Sequence, residues 1–216
     1  MIHKYHYGSR EEWLQHRKER IGGSDAASVL GLNPWMSNTE LWELKTGRRT
    51  KTFLDDNEFV KYGKAAEFHL RELFKLDFPE YEVFYEEGNM FVNDKYPFAH
   101  ASLDGWLLDQ EGRKGILEIK TSNMISSLMK DKWKDQIPEQ YYAQVLHYMM
   151  VMEADFCILK AQLKTERDGD VFLQIRHYTI ERKDVEDDIE TLREAEEEFY
   201  ECIVDDKEPA LILPEI

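Results

Sequence analysis

The spacing acid-x-Lys can assemble a phosphodiester-cleaving centre, and it occurs four times in this chain: Glu43-Lys45, Glu118-Lys120, Glu181-Lys183 and Asp205-Lys207. Repetition makes the triplet uninformative by itself, so its surroundings must decide. Only Glu118-Ile119-Lys120 lies in an apolar run of strand composition, Gly115-Ile116-Leu117-Glu118-Ile119-Lys120; the other three fall in or beside helical sequence. Side chains alternate along a strand, which puts Glu118 and Lys120 on one face and Leu117 and Ile119 on the other. Upstream stands Ser102-Leu103-Asp104-Gly105. A hairpin centred near Glu111 pairs residues whose numbers sum to 222, setting Asp104 opposite Glu118. Two carboxylates so placed repel each other unless a cation intervenes. Magnesium suits such an oxygen-rich pair, and Lys120 adds positive charge beside a reacting phosphate. The same three residues also fit a surface hairpin with an ordinary cross-strand ion pair.

Two further polar residues stand where they could join the carboxylates. Glu67 follows Gly63-Lys64-Ala65-Ala66, small residues that permit a close approach of backbone or metal site. Gln144 falls one turn after Gln140, where a glutamine is more often a structural hydrogen-bonder. The seven histidines show no metal-ligand spacing, and Cys157 and Cys202, too few for a four-thiolate site, read as packing residues. Trp35 and Trp42 are expected in the core or at a subunit interface, and the loop from Lys45 to Lys51, with Arg48 and Arg49, is the better place for DNA contacts.

The elements that carry these residues follow from periodicity. Ser9 caps a helix rich in early acids that should stop near Gly22-Gly23, and a short helix should begin at Ser24 or Asp25. Thr39 to Leu44 restarts helically and ends at Gly47, followed by a basic then acidic loop over residues 48–57. Phe59, Tyr62, Ala66, Leu70, Leu73 and Phe74 recur at helical spacing from Glu58 to Leu76. Strands are predicted over Tyr81–Tyr85, Asn89–Val92, Ala99–Leu108 and Gly115–Thr121, the last two joined by the turn Asp109 to Arg113. Pro138 opens an apolar helix, two strands cover Phe156–Leu163 and Val171–Tyr178, and a final helix runs from Lys183 to Val204 with an acidic, solvated outer face.

At 216 residues, 42% hydrophobic and 33% charged, the chain is expected to fold as one domain, 1–216, with a core of its own. No apolar run is long enough for a spanning helix and the start lacks the apolar stretch of a signal peptide, so the expected place is the cytoplasm, with no membrane partner. A net charge of −16 lowers the prospect of nucleic-acid binding without excluding it, because the charge is uneven. Residues 161–216 hold 7 basic against 18 acidic side chains, whereas residues 1–75 hold 13 against 11. A polyanion is held by a local cationic groove or by metal ions rather than by the bulk charge.

Taken in order, the motifs resemble those of the YqaJ-type viral recombinase or phage lambda exonuclease family within the PD-(D/E)xK nuclease superfamily. They are Trp13, Arg17 and Ile21-Gly22-Gly23-Ser24, Gly31-Leu32-Asn33-Pro34-Trp35, Leu41 to Gly47, Gly63 to Glu67, Leu103-Asp104-Gly105, Leu117 to Lys120, and Tyr141 to Val145. Leu103 stands where the superfamily name has proline. The resemblance implies an α/β fold with a restriction-endonuclease-like core, a central mixed β-sheet flanked by helices on both faces, and the active site at one edge of the sheet. It implies that Asp104, Glu118 and the Ile119 carbonyl ligate Mg²⁺, that Glu67 lies near a second ion, and that Mn²⁺ can substitute. Lys120 would position or activate the attacking water, and Gln144 would orient that water or the phosphate. Arg17 and Ser24 would grip a 5′-terminal phosphate with help from a helix N-terminus, Arg20 being the alternative arginine.

The implied activity is a metal-dependent exonuclease that digests one strand of linear duplex DNA from its 5′ end and leaves a 3′ overhang. The implied setting is a phage or prophage protein in a bacterial host, a homotrimeric ring on DNA ends, and a single-strand annealing recombinase as partner. Three other readings remain: an endonuclease or opposite-polarity nuclease of the same superfamily, a noncatalytic DNA-binding module, and a small-molecule enzyme with an acidic metal cleft. The last lacks any phosphate-cradling glycine loop.

Overall fold

The computed structural model describes residues 1–50 and 57–213. In chain order the elements are β1 (Ile2–His6), α1 (Arg10–Lys18), β2 (Ile21–Gly22), α2 (Gly23–Val29), α3 (Asn38–Lys45), α4 (Glu58–Asp77), β3 (Glu82–Phe84), β4 (Asn89–Asn93), β5 (Ala99–His100) and β6 (Gly105–Leu108). Then follow β7 (Lys114–Asn123), α5 (Ser127–Lys132), α6 (Glu139–Met152), β8 (Phe156–Arg167), β9 (Asp170–Glu181) and α7 (Glu186–Val204). Five strands form a mixed sheet in the order β3-β6-β7-β8-β9, in which only β7 and β8 run parallel; β1–β4 and β2–β5 form small two-stranded sheets beside it.

Alternation along β7 divides the interior in two. Leu117 and Ile119 join Leu70 and Phe74 of α4 with Phe156 and Ile158 of β8 in one cluster. Ile116 faces the other way, into a larger cluster built from α2, α6 and α7. Helices therefore cover both faces, and α6 is the better sheltered: nine consecutive residues, Ala143 to Val151, are buried. The α4 surface is less completely covered, since Leu70 and Phe74 are buried but Phe59, Tyr62 and Leu73 are exposed.

The β6–β7 hairpin has the register expected, with Gly105 opposite Leu117 and Leu107 opposite Gly115. Asp109 Oδ1 accepts from the Glu111 and Arg113 amides and Gly112 takes φ +80°, which closes the turn. Three expectations are corrected. Ala99–Leu108 is not one strand, because Asn89 holds the Leu103 amide (2.8 Å) and carbonyl (3.0 Å) with its side chain, drawing that segment out of the ladder. The first helix ends at Lys18, and Ile21-Gly22 pairs in parallel with Ala99-His100 instead of extending it. The second helix starts at Gly23, one residue early. Strand β1 and helix α5 were not anticipated. Of the expected loop over 48–57, residues 51–56 lie outside the described residues.

The last helix turns most of its acids to solvent, but Glu196 is fully buried against His147 of α6. His147 Nδ1 lies 2.7 Å from Glu196 Oε1, and Nε2 lies 2.8 Å from the His100 carbonyl. An acceptor at each ring nitrogen calls for the imidazolium. Burial lowers the imidazole, but the Glu196 carboxylate and the His100 carbonyl outweigh it and hold the group above its ordinary value. A raised histidine stabilises the fold fully below its unfolded value of about 6.5 and loses that contribution as pH rises through the folded value. Glu196→Gln is therefore expected to lower the melting temperature most below about pH 6.5, by about 3–5 kcal/mol of stability, and progressively less above it. Melting curves from pH 5 to 9 check this; a loss independent of pH would mean that His147 is neutral.

Candidate active site

The cluster lies on the central strand of the five rather than at an outer one, at the point where β6 gives out. Because β6 begins at Gly105, one ladder donor of β7 has no backbone partner there, and the Asp104 carboxylate takes it: Oδ2 accepts from the Ile119 amide at 2.9 Å. Glu118, only 2% exposed, and Lys120 share the face predicted for them, with Oε1 2.7 Å from Nζ. Glu67 reaches the cluster from α4, where Gly63 lets the helix approach β7; a Cβ there would stand 3.2 Å from Thr121 Oγ1. Arg71, one turn on and buried, donates Nη1 to Glu67 Oε1 (3.1 Å) and to the Asp104 carbonyl (2.8 Å).

The electrostatics are those of acids crowded beyond what their surroundings neutralise. Burial and the Asp104 carboxylate push the Glu118 carboxyl up to about 8. Burial and Asp104 likewise push Glu67 up to about 7, against the pull of Arg71. Burial also raises Asp104, although Lys120 and the Ile119 amide oppose it. Lys120 shows the opposite balance: burial lowers its ammonium, but Glu118 and Asp104 outweigh that and raise it.

Whether these residues suit a divalent cation can be judged from the donors. Among the described residues no three carboxylate, imidazole or thiol groups converge as ready-made ligands, because Glu118 is turned onto Lys120 and Asp104 onto the Ile119 amide. Yet Glu118 Oε2 is buried without any hydrogen-bond partner, and a buried carboxylate oxygen left so is costly. Magnesium keeps several waters and needs only one or two carboxylates. The orphaned oxygen, the adjacent Asp104 and the shared repulsion fit a hydrated hard cation.

Gln144 is buried on α6 and donates Nε2 to the Tyr148 hydroxyl at 3.0 Å. Tyr148 was not singled out by the sequence, although Gln144 and Tyr148 stand one helical turn apart and Gly23 makes room for the ring. A Cβ on Gly23 would fall 2.4 Å from it. Burial and Glu118 raise this phenol, while Lys120 and Arg17 act against them.

Arg17 and Ser24 are brought together: Nη2 donates to Oγ at 3.1 Å, and the guanidinium lies 4.3 Å over the Trp13 ring. Arg20 instead donates Nε to the Pro97 carbonyl. Lys45, expected in a DNA-contacting loop, is buried on the Asp25 carboxylate (2.7 Å) and on the carbonyls of Arg17 (3.1 Å) and Arg20 (2.6 Å). It anchors the end of α1 that carries Arg17. Arg48 is paired with Asp206 and stacked over Trp42, and Arg49 is paired with Glu40 and Glu43. Among the described residues, the hydrogen bonds and ion pairs of Arg20, Arg48 and Arg49 go to groups other than Asp104, Glu118 and Glu67. Lys51 lies outside the described residues. Trp42 is buried, with Nε1 on the Cys202 carbonyl, whereas Trp35 is 72% exposed.

Comparison with known proteins places the chain. Two solved structures share the fold: an alkaline exonuclease, LHK-Exo, from Laribacter hongkongensis, with TM-score 0.62 and 19% identity over 90% of this chain and 94% of that one. The other is a phage-related exonuclease from Haemophilus somnus 129PT, with TM-score 0.53 and 14% identity over 87% and 96%. Both are exonucleases of restriction-endonuclease-like fold. The uncharacterised protein YqaJ of Bacillus subtilis is 34% identical over 155 residues, 68% of this chain; the chain spans 44% of that relative's length. Residues 12–155, which contain every residue of the carboxylate cluster together with Arg17, Ser24 and Gln144, match the model of the YqaJ-like viral recombinase domain. The chain therefore belongs to the YqaJ-like viral recombinase family.

Proposed function

We propose that this protein is a divalent-metal-dependent nuclease that removes nucleotides from the 5′ end of one strand of linear duplex DNA, leaving a 3′ overhang for recombination. The observation that carries the reading is the convergence of Asp104, Glu118 and Lys120 at the end of β6, with an orphaned carboxylate oxygen among them. Asp104, Glu118 and the Ile119 carbonyl would hold Mg²⁺, or Mn²⁺ in its place, with Glu67 toward a second ion. When bound, the ion supplies charge neutralisation at the phosphate under attack.

The chain's own groups do the rest. Lys120, held by Glu118, directs its ammonium at the attacking water and the phosphate oxygens, while the Gln144–Tyr148 pair orients the phosphate from α6. Arg17 and Ser24 hold the terminal 5′-phosphate through charge-assisted hydrogen bonds. For one such pocket to serve successive cuts, each cut must leave a 5′-phosphate on the shortened strand, so water attacks phosphorus and the P–O3′ bond breaks. A homotrimeric ring on DNA ends and a single-strand annealing recombinase, acting in the cytoplasm of a bacterial host, complete the proposal.

Incubation with linear and with covalently closed circular duplex DNA tests it. The expected result is loss of the linear DNA with Mg²⁺ or Mn²⁺, none with EDTA, and an intact circle. Nicking of the circle would support the endonuclease alternative.

A further inference from the structure

On the far side of Arg71 the molecule opens into a cavity of about 590 Å³ between α4 and the β3–β6 end of the sheet. Phe68, Phe84, Tyr85 and Trp106 line it together with Lys4 and Lys75. Three of those rings are solvent-exposed: Phe68 by 57%, Phe84 and Tyr85 by 40% each. Phe84 and Trp106 lie nearly parallel, 14° apart with centroids 6.1 Å distant. Lys4 and Lys75 are each paired with an acid of the same groove, Glu86 and Glu72, so the aromatic surface outweighs net charge as its distinguishing feature. Exposed rings beside cations are what sequence-tolerant single-strand binders use, because every base offers a face for stacking.

The groove shares a wall with the carboxylate cluster. The Arg71 guanidinium lies 3.5 Å over the Tyr85 ring while its Nη1 holds Glu67 and the Asp104 carbonyl. Arg17 and Ser24 belong to α1 and α2 on the α6 side of the sheet and Arg71 lies on the α4 side, where the groove begins before it wraps the β3 edge to Phe84 and Trp106, whose rings face the α6 side. A strand with its 5′-phosphate on Arg17 and Ser24 and its first linkage at Asp104 and Glu118 would run on toward Arg71. We infer that this groove binds single-stranded DNA, namely the unpaired nucleotides on the 3′ side of the linkage being cut, with bases stacked on Phe84 and its neighbours. The inference rests on the nuclease reading for its direction, but the binding itself can be measured without cleavage.

The test is fluorescence anisotropy of a labelled ten-nucleotide oligodeoxythymidylate in EDTA at low salt, with an abasic strand of equal length as control. Phe84→Ala is expected to weaken oligodeoxythymidylate binding by about fivefold to a hundredfold, while Phe84→Tyr, which keeps a ring, binds as wild type. The abasic strand should bind wild type and Phe84→Ala equally. Unchanged affinity in Phe84→Ala, or an equal loss on the abasic strand, overturns the assignment. A parallel cleavage assay separates the two readings. Metal-dependent cleavage with ring-independent binding rejects the groove alone. Ring-dependent binding without cleavage supports the groove as a single-strand site and rejects the nuclease.

Discussion

Lys120→Ala is expected to reduce cleavage by about a hundredfold to ten-thousandfold, the range over which a positioned proton-transfer or charge-stabilising group acts, while duplex binding persists. The geometry explains why one side chain should matter so much. Lys120 is the cation facing Glu118, held at 2.7 Å by an acid 2% exposed, and alternation along β7 puts both on the same face. Removing it leaves Glu118 and Asp104 without that counter-charge. Burial and Asp104 already raise Glu118, and losing Lys120 removes a group that lowers it, so the variant favours the neutral carboxyl, which a buried site tolerates without unfolding. Single-turnover rates with Mg²⁺, duplex binding in EDTA and melting curves would be measured together. Unfolding of the variant would make Lys120 a structural partner of the carboxylates instead.

Arg17→Ala should act on substrate choice. Wild-type protein is expected to prefer 5′-phosphorylated over 5′-hydroxyl ends, and the variant to lose that preference by about tenfold or more, as expected for a hydrogen bond to a charged group. The basis is the Arg17–Ser24 contact at 3.1 Å and the clamp of Lys45 on the Arg17 and Arg20 carbonyls. Arg20 is spent on the Pro97 carbonyl, so Arg20→Ala should leave the preference in place. Initial rates on the two kinds of end decide the matter; an equal fall on both would remove Arg17 from the phosphate pocket.

How much of this could be read from sequence depended on how local the causes were. The Asp104–Glu118 juxtaposition was legible because a hairpin with a short loop fixes its own register, and Gly105 does face Leu117. Strand alternation likewise gave the shared face of Glu118 and Lys120. Arg17 and Ser24 were legible only as motif positions, since nothing in their spacing says that a guanidinium will reach across seven residues. The groups that tie the site together lay beyond reach. Arg71 meets the Asp104 carbonyl 33 positions away, and Lys45 looked like a surface cation yet is buried on Asp25. The break in Ala99–Leu108 came from the Asn89 side chain, a partner that propensity does not register. Glu196 looked like one more acid on a solvated helix because its partner, His147, stands 49 residues earlier.

On the proposed function, the acids and Lys120 at the end of β6 serve a metal-dependent exonuclease working from the 5′ end. Its most direct test follows release of label from linear duplex DNA marked at either the 5′ or the 3′ terminus, with Mg²⁺ or EDTA. The 5′ label is expected to leave first, and only with the metal. Earlier release of the 3′ label, or release undiminished in EDTA, would contradict it.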